Sequence, residues 1–321
     1  MSQSNNLHVV FGCGPLGQAT ARALLAQGLR VRMVSRGGTQ SIPPGAAIVK
    51  ADARDAAQAV EASAGAASIY QCVGMVYDIN VWRRDWPRLQ AAGIAAAQAH
   101  NAPYIFGDNL YMYGDTNGKP VDEASPYLAK TNKGQVRATL ARELMEAHTR
   151  GTVRAACVRG SDFYGPCVQA GGVLGSRSIG AMLAGKPAQF IGNIDMPHTY
   201  TFIDDFGRAM ATVGTRADAL GQIWHAPNVE TLSTRQHMTR FFEAAGVKPR
   251  FQVVPKVVIG AMGVFIPMMR ELKEMMYGWE KPYIVHSDKI KQRLGLDAIP
   301  LAEAIATTLA WYRANGSVAA A

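Results

Sequence analysis

Cysteine is scarce in this chain, four among 321 residues. Cys13, Cys72, Cys157 and Cys167 show none of the paired spacings that a zinc or iron–sulfur site requires, so no metal site is expected. Buried free thiols in a reducing cytoplasm are the simplest reading. Long apolar runs are missing as well. The longest, 257–269, is broken by Gly260, Gly263 and Pro267 and falls short of the ~20 residues that cross a bilayer. Positions 1–6 are polar and a strand already starts near Val9, which leaves neither a secretory leader nor a membrane span to expect. Acidic residues are outnumbered, 24 against 33 basic ones, for a net charge of +9. That balance favours anionic ligands such as phosphorylated cofactors. The charge is scattered, with no basic run interleaved with aromatics, which argues against a nucleic-acid partner.

What is present is organised around residues 9–36. The apolar run His8-Val9-Val10-Phe11 leads into Gly12-Cys13-Gly14-Pro15-Leu16-Gly17, after which Ala19, Ala23 and Leu24 recur at helical spacing until Gly28. A second strand, 30–34, follows at once. Strand, glycine turn, helix and strand in this order suit the pyrophosphate of a dinucleotide. Gly12 permits the tight turn, Gly14 lets the backbone approach the phosphates, and Gly17 lets the helix lie close to the strand. The helix N-terminus adds the positive end of its dipole. A free ribose 2'-hydroxyl is usually met by an acid about 20 residues past the glycines. Here the chain reads Ser35-Arg36-Gly37-Gly38, with no acid before Asp52. A hydroxyl and a guanidinium suit a 2'-phosphate, so NADP is favoured over NAD, although Arg36 also reads as an ordinary solvated loop arginine.

With 48% hydrophobic and 18% charged residues the chain reads as soluble and globular, long enough for a cofactor domain with a smaller companion. A third strand is expected at 47–49. Asp52 and Ala53 follow it as adenine contacts, and Asp55 as a contact or a helix cap. A fourth strand, 68–73, ends with Val73 and Gly74 facing the cofactor. Segment 75–86, with Tyr77, Asp78, Trp82, Arg83, Arg84 and Trp86, either walls a substrate pocket or packs a long loop. A helix from Pro87 to His100 precedes a fifth strand at 104–106, and a sixth is expected at 153–158. Strands alternating with helices argue for an α/β fold, a Rossmann-type doubly wound parallel sheet. Residues 1–160 form its dinucleotide-binding part, to which a strand near 221–225 returns. Residues 161–321 form a smaller, interleaved C-terminal substrate domain. His198 invites an acid or base role, but a lone loop histidine is more often a hydrogen-bonding surface residue. Asp204 and Asp205 read as caps of the helix after them. Helix 257–276, with Met268, Met269, Met275 and Met276, reads as core filler or as a face for an apolar substrate or a second subunit, which would make a homodimer.

The segment Phe106-Gly107-Asp108-Asn109-Leu110-Tyr111-Met112-Tyr113-Gly114 resembles the fifth-strand segment of extended short-chain dehydrogenases, the family of nucleotide-sugar epimerases and dehydratases. Pro120 to Pro126 resembles the family's acidic loop. Arg159-Gly160-Ser161-Asp162-Phe163-Tyr164-Gly165-Pro166 resembles its Arg-x-x-x-x-Tyr-Gly-Pro turn, and Thr201 to Asp205 its later strand-to-helix aspartate. The similarity covers nearly the whole chain. The resemblance implies a catalytic Ser or Thr where Asn109 stands, and a Tyr-x-x-x-Lys pair where the chain has Lys133-Gly134-Gln135-Val136-Arg137. These departures resemble the atypical members, which keep the cofactor fold with a degenerate active-site tetrad.

The candidate catalytic set is therefore Asn109, Tyr111, Tyr113, Lys133 and Arg137. Asn109 can donate its amide to a substrate oxygen. Continued strand alternation would put Tyr111 and Tyr113 on its side, as acids or as core residues. Lys133 and Arg137, four apart on one helix face, either supply a proton or grip cofactor ribose and phosphate without transferring one. Two functions follow: an NAD(P)-dependent oxidoreductase acting on a small carbonyl or alcohol substrate, or a non-catalytic NADP(H)-binding redox sensor. A deep cavity at the nicotinamide end discriminates between them.

Overall fold

The computed structural model describes residues 6–38, 41–169, 171–254 and 267–316. Its chain opens β1 (Leu7–Phe11), α1 (Pro15–Ala26), β2 (Arg30–Ser35), β3 (Ala47–Lys50), α2 (Ala56–Ala62), β4 (Ala66–Gln71), α3 (Ile79–Ala99) and β5 (Tyr104–Asp108). A 3₁₀ turn (Tyr111–Tyr113), α4 (Asn132–Thr149), β6 (Ala155–Arg159) and β7 (Asp162–Tyr164) follow. Beyond them lie α5 (Ala181–Leu183), β8 (Ala188–Ile191), β9 (Pro197–His198), β10 (Tyr200–Phe202), α6 (Ile203–Gly214), β11 (Ile223–His225) and β12 (Leu232–Ser233). The chain closes with α7 (Thr234–Ala245), β13 (Phe251–Val254), α8 (Pro267–Glu274), α9 (Tyr277–Glu280), α10 (Asp288–Leu294) and α11 (Leu301–Asn315).

Seven strands make one parallel sheet in the order β11-β6-β5-β4-β1-β2-β3. A parallel sheet is covered on both faces, which is why Val9, Val10 and Phe11 are all fully buried. One face packs on α2, α3 and α4 through Leu89, Ala96 and Leu144, the other on α1 and α6 through Leu24, Ala209 and Met210. Gly207 brings α6 against α1, since a Cβ there would run into Ala19. Each fully buried leucine contributes about 1.5–3 kcal/mol. A separate apolar cluster, including Tyr164, Phe190, Phe241 and Tyr312, joins the pairs β7/β10 and β8/β13 to α7 and α11. Strand order reverses between β4 and β1, so their carboxyl ends open a crevice, the usual ligand position in such sheets.

Several local expectations are corrected here. Helix α3 begins at Ile79, two turns before Pro87, because the Asp78 carboxylate accepts the Asn80 and Val81 N–H groups and starts it there. Segment 75–86 is thus partly helical. Asp55 does cap α2, accepting from Gln58 N at 3.0 Å. Asp204 and Asp205 do not cap α6. Asp204 is ion-paired with Arg22, while Asp205 takes the Ile299 N–H and Arg208, and burial pushes its carboxyl up to about 6. Of the thiols, Cys72 and Cys157 are buried, whereas Cys13 and Cys167 are only partly so. Met275 and Met276 are buried, and most of the expected helix before Pro267 lies outside the described residues.

Candidate functional site

The crevice is one continuous cleft of about 1130 Å³ that runs from the glycine turn to a cluster of aromatic side chains. At the turn the three glycines differ as their geometry demands. Gly12 sits at φ +102°, and a Cβ there would stand 2.9 Å from the Cys72 carbonyl. A Cβ on Gly17 would overlap the Gly12 carbonyl oxygen. Gly14 has nothing within 4 Å and opens on the cleft, a cradle that a side chain would fill. Pro15 opens α1 just beyond it, so the helix N-terminus faces the same space. The residues present therefore fit a dinucleotide pyrophosphate. Cys13, Pro15 and Leu16 share this wall, with the Cys13 thiol pushed up by burial.

Ser35, Arg36, Asp52 and Ala53 line the same end, and Val73 and Gly74 the stretch after it. Residues that spacing did not single out complete it. Arg54 binds both oxygens of Asp52, at 3.0 and 2.7 Å, and reaches Asp85 at 2.8 Å. Asp85, buried beside Arg84 and Arg54, has its carboxyl held down to about 2 by those guanidiniums. The signal was the charge content of 83–88, which an early helix start turns onto the cleft.

In the middle of the cleft the candidate catalytic residues part company. Strand geometry ends at Asp108, and the 3₁₀ turn breaks the alternation that would have aligned Asn109, Tyr111 and Tyr113. The Asn109 side-chain oxygen accepts the Tyr111 N–H at 3.0 Å, and among the described residues its Nδ2 has no partner. Tyr111 lines the cleft, stacked on Trp82 at 6.0 Å, and burial raises its phenol well above the ordinary range. Tyr113 leaves the wall. Its hydroxyl accepts from Arg159 at 2.7 Å and meets His225 Nε2 at 2.7 Å, deep in the core.

Lys133 and Arg137 share a helix face in α4 yet reach different places. Lys133 is fully buried, ion-paired with Glu271, its ammonium 3.8 Å from the Tyr77 ring centroid. It is not among the wall residues. Arg137 is, paired with Asp108 and lying over Trp86 at 4.1 Å, and its buried Nη1 has no partner among the described residues.

The far end is walled by Tyr77, Trp82, Tyr111, Trp279 and Tyr283 around a polar pair, His198 and Asp162. His198 is buried there rather than at the surface. Its Nδ1 lies 2.9 Å from the Gly278 carbonyl and its Nε2 3.0 Å from Asp162 Oδ2, which also accepts from Trp279 Nε1 at 3.1 Å. Sequence reasoning passed over Asp162, Trp279 and Tyr283, because they meet only through the fold. Among the described residues there is no cluster able to hold a metal, and no helix is long and apolar enough to cross a membrane.

Comparison with curated protein sequences finds no match. Among solved structures, the UDP-glucose 4-epimerase of Thermotoga maritima, with UDP-glucose, superposes with a TM-score of 0.78 at 15% identity, over 96% of this chain and 99% of that one. The UDP-glucose 4-epimerase of Thermus thermophilus, in complex with NAD, gives 0.77 at 20% identity over 97% and 100%. DesIV, a dTDP-glucose 4,6-dehydratase from Streptomyces venezuelae with NAD and TYD bound, gives 0.75 at 17% over 96% and 97%. At these identities the likeness shows a shared fold. A family model covers residues 9–225, from β1 to β11, and on that match the chain belongs to the NAD dependent epimerase/dehydratase family.

Proposed function

We propose that the protein is an NADP-dependent oxidoreductase acting on a small carbonyl or alcohol substrate through a non-standard active site. The observation that carries this reading is the continuity of the cleft. Beyond the glycine turn, Arg36 and Gly74, it still has room lined by Asn109, Tyr111 and Asp162. When bound, the reduced cofactor supplies a hydride. Gly12, Gly14 and Gly17 would shape the pyrophosphate seat, Ser35 and Arg36 would meet the 2'-phosphate, and the unpaired Arg137 Nη1 would take a ribose or phosphate oxygen. Asn109 would donate from Nδ2 to the substrate oxygen. Residues 161–321 would supply most of the substrate-binding part. The partner is a small molecule, and sugar-nucleotide epimerisation is disfavoured because α4 carries Lys133 and Arg137 where the resemblance expects a Tyr-x-x-x-Lys pair.

A second reading, an NADP(H)-binding sensor without catalysis, is favoured by two placements. Lys133 is tied to Glu271, and Tyr113 faces the core. The two readings separate when the protein is incubated with deuterated NADPH and a metabolite extract and the products are examined by mass spectrometry. Deuterium in a product that requires the protein is expected. NADPH binding without transfer gives the lead to the sensor, and unchanged turnover in an Asn109→Ala variant overturns the role assigned to that residue.

A further inference from the structure

We propose that the aromatic end of the cleft takes an uncharged carbonyl or alcohol compound with an apolar, ring-bearing body, and that Asp162 and His198 hold the proton exchanged with its oxygen. This rests on the oxidoreductase reading and names its substrate class and proton source.

Charge comes first. Arg36, Arg54 and Arg84 line the cleft but belong to its other end, where Arg54 joins Asp52 to Asp85 and Arg84 lies on Asp85. Arg137 sits midway on Asp108. Past Asn109 the described wall carries no lysine or arginine, and its one carboxylate is Asp162. Of the ammoniums near this end, Lys133 is held by Glu271 against the Tyr77 ring, off the wall, and Lys281 is paired with Asp115. A diphosphate placed here would face a carboxylate with no lysine or arginine on the described wall to offset it, at a steep desolvation cost. Rings of Tyr77, Trp82, Tyr111, Trp279 and Tyr283 instead match an apolar body.

Hydrogen-bond accounting then locates a proton. The Gly278 carbonyl can only accept, so His198 Nδ1 carries a hydrogen. Between Nε2 and Asp162 Oδ2, 3.0 Å apart, a second hydrogen must lie. The pair is imidazolium with carboxylate or imidazole with carboxylic acid, and in either form it holds one transferable proton. The Asp162 side chain is 27% exposed against 5% for His198, so the carboxylate faces the cleft and the imidazole backs it. Register places the pair beside the reacting centre. Strands β5 and β6 are neighbours with Asp108 opposite Arg159, and Gly160 N donates to Asp108 O at 3.1 Å, so Asn109 and Asp162 leave adjacent strand ends.

In reduction the carbonyl carbon accepts hydride from a reduced nicotinamide dinucleotide and forms a C–H bond. The C=O π pair moves to oxygen and takes the shared proton as an O–H bond, and the pair regains a proton from water. The nicotinamide is oxidised and the substrate reduced by the same two electrons. Oxidation of the alcohol runs these steps backwards.

Calorimetry on the full chain tests the substrate class, with NADPH titrated first, then 4-phenyl-2-butanone, acetophenone, cyclohexanone and UDP-glucose into the NADP⁺-loaded protein. At least one ketone is expected to bind saturably and at least tenfold more tightly than UDP-glucose. UDP-glucose binding as tightly as the best ketone, or failure of all three ketones, overturns the proposal alone. Absent NADPH binding overturns the oxidoreductase reading. Nitrogen-15 spectra of the histidine-labelled protein test the proton, with the His198 signals assigned through His198→Gln. Wild type is expected to show both ring nitrogens protonated, or the Nε2 proton shared, at pH 7. Asp162→Asn, shown to be folded by its thermal melt, loses that signature. A wild-type Nε2 that neither carries nor shares a proton overturns the assigned role.

Discussion

At the glycine-turn end of the cleft the wall is mostly backbone and paired charge, supplied by residues 12–54 with Asp85 beneath them. At the aromatic end Tyr77, Tyr111, Asp162, His198, Trp279 and Tyr283 arrive from well-separated stretches of chain. One end is specified by neighbours in sequence, the other by the packing of the whole molecule. The first can therefore be altered at open positions such as Gly14 and Arg36 without disturbing the fold, whereas the second is coupled to it through buried polar groups, each dependent on a particular partner.

Acid should expose that difference most strongly. Burial holds His225 and His237 down to about 3, and His8 on β1 to about 4, so the folded chain excludes protons that the unfolded chain accepts. A depressed histidine contributes stability above its unfolded pKa near 6.5 that is lost as pH falls towards the folded value. The loss is about 1.4 kcal/mol per pH unit for each group, or about 2 kcal/mol each by pH 5. The Asp85 hub behaves differently. With its carboxyl at about 2, its contribution persists down to an unfolded pKa near 3.9 and fades only below it. Urea midpoints at pH 7.5, 6 and 5 should fall steeply, less so in His225→Gln. A flat profile would break the comparison.

Glu271→Gln comes next. It leaves the fully buried Lys133 ammonium without a counter-charge among the described residues, against the Tyr77 and Trp82 rings, at a cost of about 3 kcal/mol in unfolding free energy. Adding Lys133→Met should restore most of that loss, while NADP(H) affinity stays within twofold throughout. If both variants are as stable as wild type, the buried pair contributes nothing to the aromatic end.

Gly14→Val is the matching probe of the other end. Gly14 has φ −72° and ψ −176°, open to any residue, and nothing within 4 Å of an added Cβ. The melting temperature should therefore hold, while NADP(H) affinity measured by calorimetry drops about a hundredfold, or ~2.7 kcal/mol, as the side chain enters the phosphate seat. Unchanged affinity would show that no phosphate lies against Gly14.

The same contrast explains what is legible in the sequence. The seven sheet strands and the glycine turn announce themselves through apolar runs and glycines that act within a few residues. The start of α3 is harder to place, because Pro87 looks like a first-turn proline while the Asp78 cap outweighs it two turns earlier. Tyr111 and Tyr113 fall out of alignment because strand periodicity stops at Asp108. His198 looks like a surface loop residue because its partners, Asp162 and the Gly278 carbonyl, lie 36 and 80 positions away. Non-local pairs of this kind leave no periodic trace.

The smallest expected effect concerns the choice of cofactor, where local and non-local information meet in one residue. Arg36 lines the cleft and among the described residues has no ion-pair partner, whereas the nearby acid, Asp52, has both oxygens engaged by Arg54. A carboxylate so engaged is poorly placed to accept from a ribose 2'-hydroxyl, while a guanidinium on the cleft wall suits a 2'-phosphate. Arg36→Ala should weaken NADPH binding about tenfold, ~1.4 kcal/mol, and leave NADH binding within twofold. Equal losses for both cofactors would make Arg36 an adenine-stacking residue without preference. No loss for either would leave it a solvated loop arginine and return the choice of cofactor to the Asp52–Arg54 pair, which only the fold brings to full strength through Asp85.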